Sequence, residues 1–392
     1  MMSKITGLFN FSEDVKKLSF GFFFIFLGYN SIQQYLTNYF FLTGFPRLGY
    51  FSLSIIYLFF ILGSLISPVV VARVGPKKAM THAVAVYGMF ILIVGLKIPA
   101  LLYLFSALLG IAAALLWTGQ NSYLISISPK NSYGKNVGFF GTLLVLGTSL
   151  GIPLFGLLAA KASFSLAFLL FSTFPIFGLL LLLRLKETQV LINGGSLLLI
   201  KKTISSPTAL KLAFVFLASY FTFGLAIGFI PLDIKDNFGF SYVGPLTSLF
   251  FIVPLLLTYY VGSLSDKLGR LPLLIILLAA SSVGLLLLFF STALAWYLLG
   301  IILLSLGGSS PIIGALIGDV AESRYLPYLT ASVLIAENVG VVTALFFSSL
   351  SQTRHIYLLG ALVLSAAVAV CLFLNRRGVR ALRVDFTREV SS

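Results

Sequence analysis

Gly262-Ser-Leu-Ser-Asp-Lys-Leu-Gly-Arg270 is a short charged stretch wedged between two long apolar runs, 241–261 and 271–292. Gly262 and Gly269 let two helix ends approach closely, and Asp266 and Arg270 set opposite charges on the turn between them. A weaker echo lies 194 residues earlier, where Gly75-Pro-Lys-Lys78 also closes an apolar run. Half of the 392-residue chain is 196, so the sequence reads as two halves of one design.

The composition outside this stretch fits a membrane bundle. Hydrophobic residues make up 59% and charged residues 9%, with a mean hydropathy of +1.07. A water-soluble domain of this size could not cover its surface with so few charges. The net charge of +15 would suit a nucleic-acid binder. Its placement excludes that partner, because the charges sit in turns between apolar runs and not along one face. The lone cysteine, Cys371, lies in the last apolar run, so neither an intrachain disulfide nor a cysteine metal site is expected. The apolar run after the polar first 17 residues is too long for a signal-peptide core and is taken as a permanent span.

Apolar runs between charge or Pro/Gly breaks predict twelve membrane helices near 18–42, 49–72, 79–97, 99–127, 136–160, 164–184, 209–232, 241–264, 271–292, 294–319, 326–350 and 355–375. The stretch 185–208 is the longest connection and divides six spans from six. The expected organisation is an all-α protein with a first six-helix half at 1–187, a linker at 188–208, and a second half at 209–392 ending in a short basic tail. Of the 26 Lys and Arg, 21 fall on the side of the termini and 5 on the other. Both termini and the linker are therefore expected in the cytoplasm, with the chain a multi-pass protein of the cell membrane.

The spacing Gly-x-x-x-Asp-x-x-Gly-Arg between two membrane helices resembles the signature loop of the major facilitator superfamily of transporters. The first half is more specific. Ser54-Ile-Ile-Tyr-Leu-Phe-Phe60 leads through Ser67-Pro68 to Gly75, and Gly110-Ile-Ala-Ala-Ala-Leu-Leu-Trp-Thr-Gly-Gln-Asn-Ser-Tyr123 follows. Together they look like the uncoordinated-ninety-three-like branch, some of whose members are described as channel regulators or receptor-trafficking partners. The resemblance is strongest over residues 20–140. It departs from the superfamily pattern at Ala72, which stands where the first loop would carry the counterpart of Asp266.

The resemblance implies two pseudo-symmetric six-helix halves around a central cavity lined by spans one, four, seven and ten. In span one, Asn30, Gln33, Gln34 and Thr37 share one helical face, with Asn38 just off it. Amides facing hydrocarbon are costly, so this face must look into protein or a wet cavity. Trp117, Gln120 and Asn121 repeat the pattern in span four; span seven offers Tyr220 and Thr222, and span ten Ser309 and Ser310. These residues are candidates for substrate contact, with interhelical hydrogen bonding as the bland reading. Gly147, Gly151, Pro153 and Gly156 resemble the glycine-proline motif of proton antiporters. Ile152 interrupts the spacing, and close helix packing is the expected role.

The loop charges suggest gates. Arg73, Lys77 and Lys78 stand without an acid, whereas Asp319 and Glu322 have only Arg324 beside them; a pseudo-twofold transporter would bring these regions together. Asp266, next to Arg270, would face the basic start of span five with Lys130 and Lys135. Ion pairs made in only one conformation would bias a switch by about a kcal/mol each. Glu337 sits deep in Thr330-Ala-Ser-Val-Leu-Ile-Ala-Glu-Asn-Val-Gly-Val-Val-Thr343. Burial favours the neutral form of a carboxyl, so such a group suits proton exchange or cation binding, or else a structural hydrogen bond.

No catalytic set is visible. His82 and His355 are far apart near span ends, and neither a phosphate-binding glycine loop nor a nucleophile with a base is present. The sequence thus predicts a monomeric, cofactor-free secondary transporter of a small solute, with protons as candidate coupling ions. Its rival is a non-transporting membrane chaperone or channel regulator on the same scaffold.

Overall fold

The computed structural model describes residues 11–128, 133–188, 207–308, 312, 326–350 and 353–377. Among them ten helices are long and apolar enough to cross a membrane, and no strand occurs. The first half holds α1 (Glu13–Leu42), α2 (Pro46–Val74), α3 (Pro76–Leu96), α4 (Pro99–Ile127), α5 (Tyr133–Lys161), α6 (Phe164–Phe171) and α7 (Thr173–Leu183). The second holds α8 (Pro207–Ile227), α9 (Ile230–Phe238), α10 (Val243–Leu268), α11 (Arg270–Phe290), α12 (Leu294–Ser305), α13 (Leu326–Leu350) and α14 (His355–Arg377). Pro46 and Pro76 open their helices at the first turn, where a missing N–H costs nothing. At 30 residues α1 has the length of a span, yet its amides and hydroxyls keep it out of the ten apolar helices.

Three predicted spans differ in detail. The sixth breaks at Ser172 into α6 and α7, because Pro175 has no N–H to offer the Phe171 carbonyl. The seventh stops at Ile227, and α9 starts afresh with Pro231 in its first turn. The tenth is seen as α12 and a 3-10 turn to Gly308, and most of its remainder lies outside the described residues. So do residues 189–206, nearly all of the expected linker.

The echo in the sequence is an echo in the backbone. Gly75 alone separates α2 from α3, with φ 87° and ψ 150°; Gly269 alone separates α10 from α11, with φ 90° and ψ 153°. A side chain is poorly tolerated at such angles, which is why glycine stands at both. Each glycine N–H returns to the helix before it, to Val71 O at 2.9 Å and Ser265 O at 3.0 Å. Each is followed by a helix of 21 residues. The packing repeats as well. Gly147 of α5 lies so close to the Phe23 carbonyl of α1 that a Cβ would overlap it, and Gly340 of α13 stands likewise against Leu217 of α8. Phe23 and Leu217 are themselves 194 positions apart. Gly147 and Gly151 therefore serve close packing of α5 on α1.

Within the first half α1 packs along α5 and α7, and α2 and α3 along α4; within the second, α8 packs along α13, and α11 along α12 and α14. The halves meet where α2 faces α13 and α5 faces α10. The face at which α1 begins is called the near face, and the opposite one the distal face.

Candidate functional site

Two polar pairs lie on the seam between the halves. On the first-half side, Gln33 Nε2 of α1 donates to Tyr57 Oη of α2 at 3.0 Å, both side chains buried. On the other, the half-buried Tyr220 phenol of α8 donates to the Glu337 carboxyl of α13. Glu337 is only 7% exposed, and Tyr220 supplies the hydrogen bond that a carboxyl in an apolar helix needs. Tyr57 and Tyr220 lie within electrostatic range of each other. Phe223 of α8 meets the Tyr57 ring edge-on across the seam at 6.4 Å and has Phe250 and Phe251 of α10 at 6.2 and 6.3 Å. The seam thus carries one acid, two phenols and an amide against a wall of rings.

The distal face is closed above these pairs. Helix α8 ends at Ile227, so its last carbonyls lack the usual donors. Pro231 has no N–H, and Leu232 N turns to Phe229 O instead. The first half supplies what is missing: Gln34 Nε2 donates to Ala226 O at 2.5 Å and Thr37 Oγ1 to Gly228 O at 3.0 Å. Lys235 of α9 stands 4.0 Å over the Phe41 ring. Phe240, in the short turn after α9, inserts between Tyr35 and Phe164, 5.5 Å from each ring. Tyr35 Oη also accepts the N–H of Gly244, which presses on α5 at Pro153. Five residues of the second half, Ala226, Gly228, Lys235, Phe240 and Gly244, are therefore held by the first half at this end.

The remaining predicted residues have other surroundings. Asn30 donates to Thr148 Oγ1 at 2.8 Å, joining α1 to α5 within the first half. Asn38 is fully buried, and its amide has no hydrogen-bond partner among the described residues. Trp117 packs on Phe22 and Phe26 at 5.9 and 5.4 Å; Gln120 is buried and Asn121 exposed. Thr222 bonds back to Ser219 O at 2.5 Å. At the near face, Lys77 pairs with Glu187 at 3.6 Å inside its own half, and Arg73 and Lys78 are exposed. Arg270 donates to Ser265. The Asp266 and Lys135 side chains, together with Ser309, Ser310, Asp319, Glu322, Arg324 and Lys130, lie outside the described residues.

Sequence reasoning missed a third polar cluster, at the distal end of the second half. Asp233 Oδ2 accepts from Tyr297 Oη at 2.7 Å and Tyr357 Oη at 2.8 Å; its Oδ1 accepts from Asn237 at 2.9 Å. The Arg354 guanidinium stands 3.6 Å away and donates to Leu288 O and, at 2.6 Å, to Ser291 O at the end of α11. Tyr57 was also missed, although it sits in a quoted stretch, because a tyrosine inside an apolar run carries no periodic signal.

These helices, the repeated glycine hinge and the seam between two bundles define a protein of the major facilitator fold. The fold is shared with a bacterial homologue of the human lysosomal transporter Spinster, in an inward-facing and occupied conformation. The TM-score is 0.74 at 13% identity, over 94% of this chain and 97% of that one. A POT family transporter in complex with a thioalcohol-conjugated peptide matches at 0.73, also at 13% identity, over 94% and 96%.

The sequence narrows the class. Residues 45–164 match the family model described as "Ion channel regulatory protein UNC-93", and residues 212–389 match that of the Major Facilitator Superfamily. UNC93-like protein MFSD11 of Xenopus tropicalis is 34% identical over 153 residues, 38% of this chain and 34% of that protein. UNC93-like protein 3 of Arabidopsis thaliana is 34% identical over 128 residues, 31% of this chain and 25% of that protein. The chain thus resembles the UNC93-like branch, and the matched stretch spans about a third or less of these relatives' length.

Proposed function

We propose that this protein is a secondary transporter that moves a small solute by rocking its two halves about the seam. The carrying observation is the placement of Gln33–Tyr57 and Tyr220–Glu337 on that seam beneath a latch at the distal face. A site on the seam, with one end closed, is the arrangement that alternating access requires. The inward-facing neighbour supports reading the near face as the open one.

Glu337 is the coupling group of this reading. The protein in proteoliposomes, offered a panel of labelled solutes with and without a pH gradient, should accumulate one of them. Glu337→Gln should lose pH-driven accumulation while keeping solute exchange at solute concentrations high enough to offset any loss of affinity. Normal accumulation by Glu337→Gln would remove Glu337 from coupling, and no flux of any solute would favour the regulator reading, which rests on the UNC-93 match. Asn30, Gln34, Trp117, Gln120 and Asn121 remain proposed substrate contacts for later steps of the cycle. Arg73, Lys78, Asp266, Arg270, Asp319 and Glu322 remain proposed near-face gate residues.

The near face is assigned to the cytoplasm on the 21 to 5 bias in basic residues. Single cysteines at positions 201 and 235, in a Cys371→Ser background, test this. The second should react from outside the cell and the first should not.

A further inference from the structure

We infer that the seam site takes an organic cation with an apolar, aromatic-sized body; this rests on the reading of the seam as the substrate site. Glu337 is the starting point. Its carboxyl is buried, its hydrogen-bond partner is the neutral Tyr220, and no basic side chain among the described residues offsets it. A charge buried without a counter-charge is costly, so the site favours either a proton or a cation from outside the chain.

The walls choose between kinds of cation. A hard metal ion needs about six oxygen ligands, and metal-binding clusters of acidic, histidine or cysteine side chains are absent among the described residues. The surroundings are instead ring faces and edges: Phe223 lies at the centre, with Tyr57, Tyr220, Phe250 and Phe251 at 6.2 to 6.4 Å. Phe223, Tyr220 and Phe251 are each only partly buried. Aromatic faces attract onium groups, and more strongly where water is excluded. An anion would meet Glu337 and the ring faces, both of the wrong sign.

The test is equilibrium binding of labelled tetraphenylphosphonium to the protein in lipid nanodiscs, with empty nanodiscs as the partition control. Saturable binding is expected above that control, with tetraphenylborate failing to compete. Glu337→Gln should weaken it by about tenfold or more, and Glu337→Asp should retain part of it. Phe223→Leu, which keeps volume and charge but removes the ring, should weaken it about threefold. The proposal falls if the unmodified protein shows no saturable binding, or if neither Glu337→Gln nor Phe223→Leu alters it. Exchange of a neutral solute in proteoliposomes without phosphonium binding would overturn the cation class and leave transport standing. Phosphonium binding without exchange of any solute would support the cation site and overturn transport.

Discussion

At the distal end of the first half, packed rings close the bundle: Tyr39 lies 5.0 Å from Phe164 and 4.7 Å from Phe168, and Phe155 fills the layer between Tyr35 and Phe171. At the distal end of the second half, the same layer is held by Asp233, Tyr297, Tyr357, Asn237 and Arg354. The two ends occupy equivalent places in a repeated fold, yet one is built from area and the other from charge. Packing of rings loses stability gradually as atoms are removed. An ion cluster fails abruptly, because deleting one member strands the others. The ionic end also carries α9, and α9 carries Lys235 and leads to Phe240 of the latch. The harder, less forgiving chemistry thus stands where a helix must be held at a fixed position.

The largest expected effect is that of Asp233→Ala. It should cost about 3–5 kcal/mol, lowering Tm in detergent by several degrees, since Arg354 and two phenols lose their acceptor. Phe155→Leu in the ring layer should cost less than about 1.5 kcal/mol. Equal losses would erase the distinction between the two ends. Replacing the pair together, Asp233→Leu with Arg354→Met, should recover most of the lost Tm, and failure to do so would locate the cost in the tyrosine hydroxyls.

Next in size are the hinges, where the halves agree. Gly75→Ala and Gly269→Ala should each cost about 1–3 kcal/mol, read as similar drops in Tm, because both residues hold the same positive φ. A marked inequality would mean that the repeat does not extend to energetics. Tyr297→Phe removes one donor to Asp233 and should cost about 1 kcal/mol. The smallest effect is expected for Lys235→Gln. Loss of about 0.5–1 kcal/mol of cation–π attraction to Phe41 should raise the distal-open population two- to fivefold. Accessibility of a cysteine placed at the buried Thr37 reads this change.

How much of this was legible follows from the kind of signal each feature leaves. The hinge was readable because a backbone at φ near 90° admits little besides glycine, and the repeat places two of them 194 residues apart. The polar face of α1 was readable as a face, since four side chains at helical spacing cannot all meet lipid. Their partners were not: Gln34 and Thr37 bind carbonyls 192 and 191 residues away, freed by a helix end that the sequence placed several residues later. Asp233 and Arg354 were hidden for another reason. Each lies at the rim of a span, where a charge ordinarily faces water, and only the fold turns them toward each other across 121 positions.

The single-residue junctions at Gly75 and Gly269 carry a mechanical consequence. A linker that short has no slack, so α2 cannot tilt without dragging α3, nor α10 without α11. Each hairpin therefore acts as one lever whose fulcrum is a glycine at the near face. Helix α2 meets α13 on the seam and α10 meets α5, so in the proposed rocking motion the two levers would be the members that couple one half to the other. A small rotation of a helix pair at its glycine end becomes a displacement of several ångströms some 30 Å away, about the length of a 20-residue helix. That distant end is where Phe240 and Lys235 hold the other half.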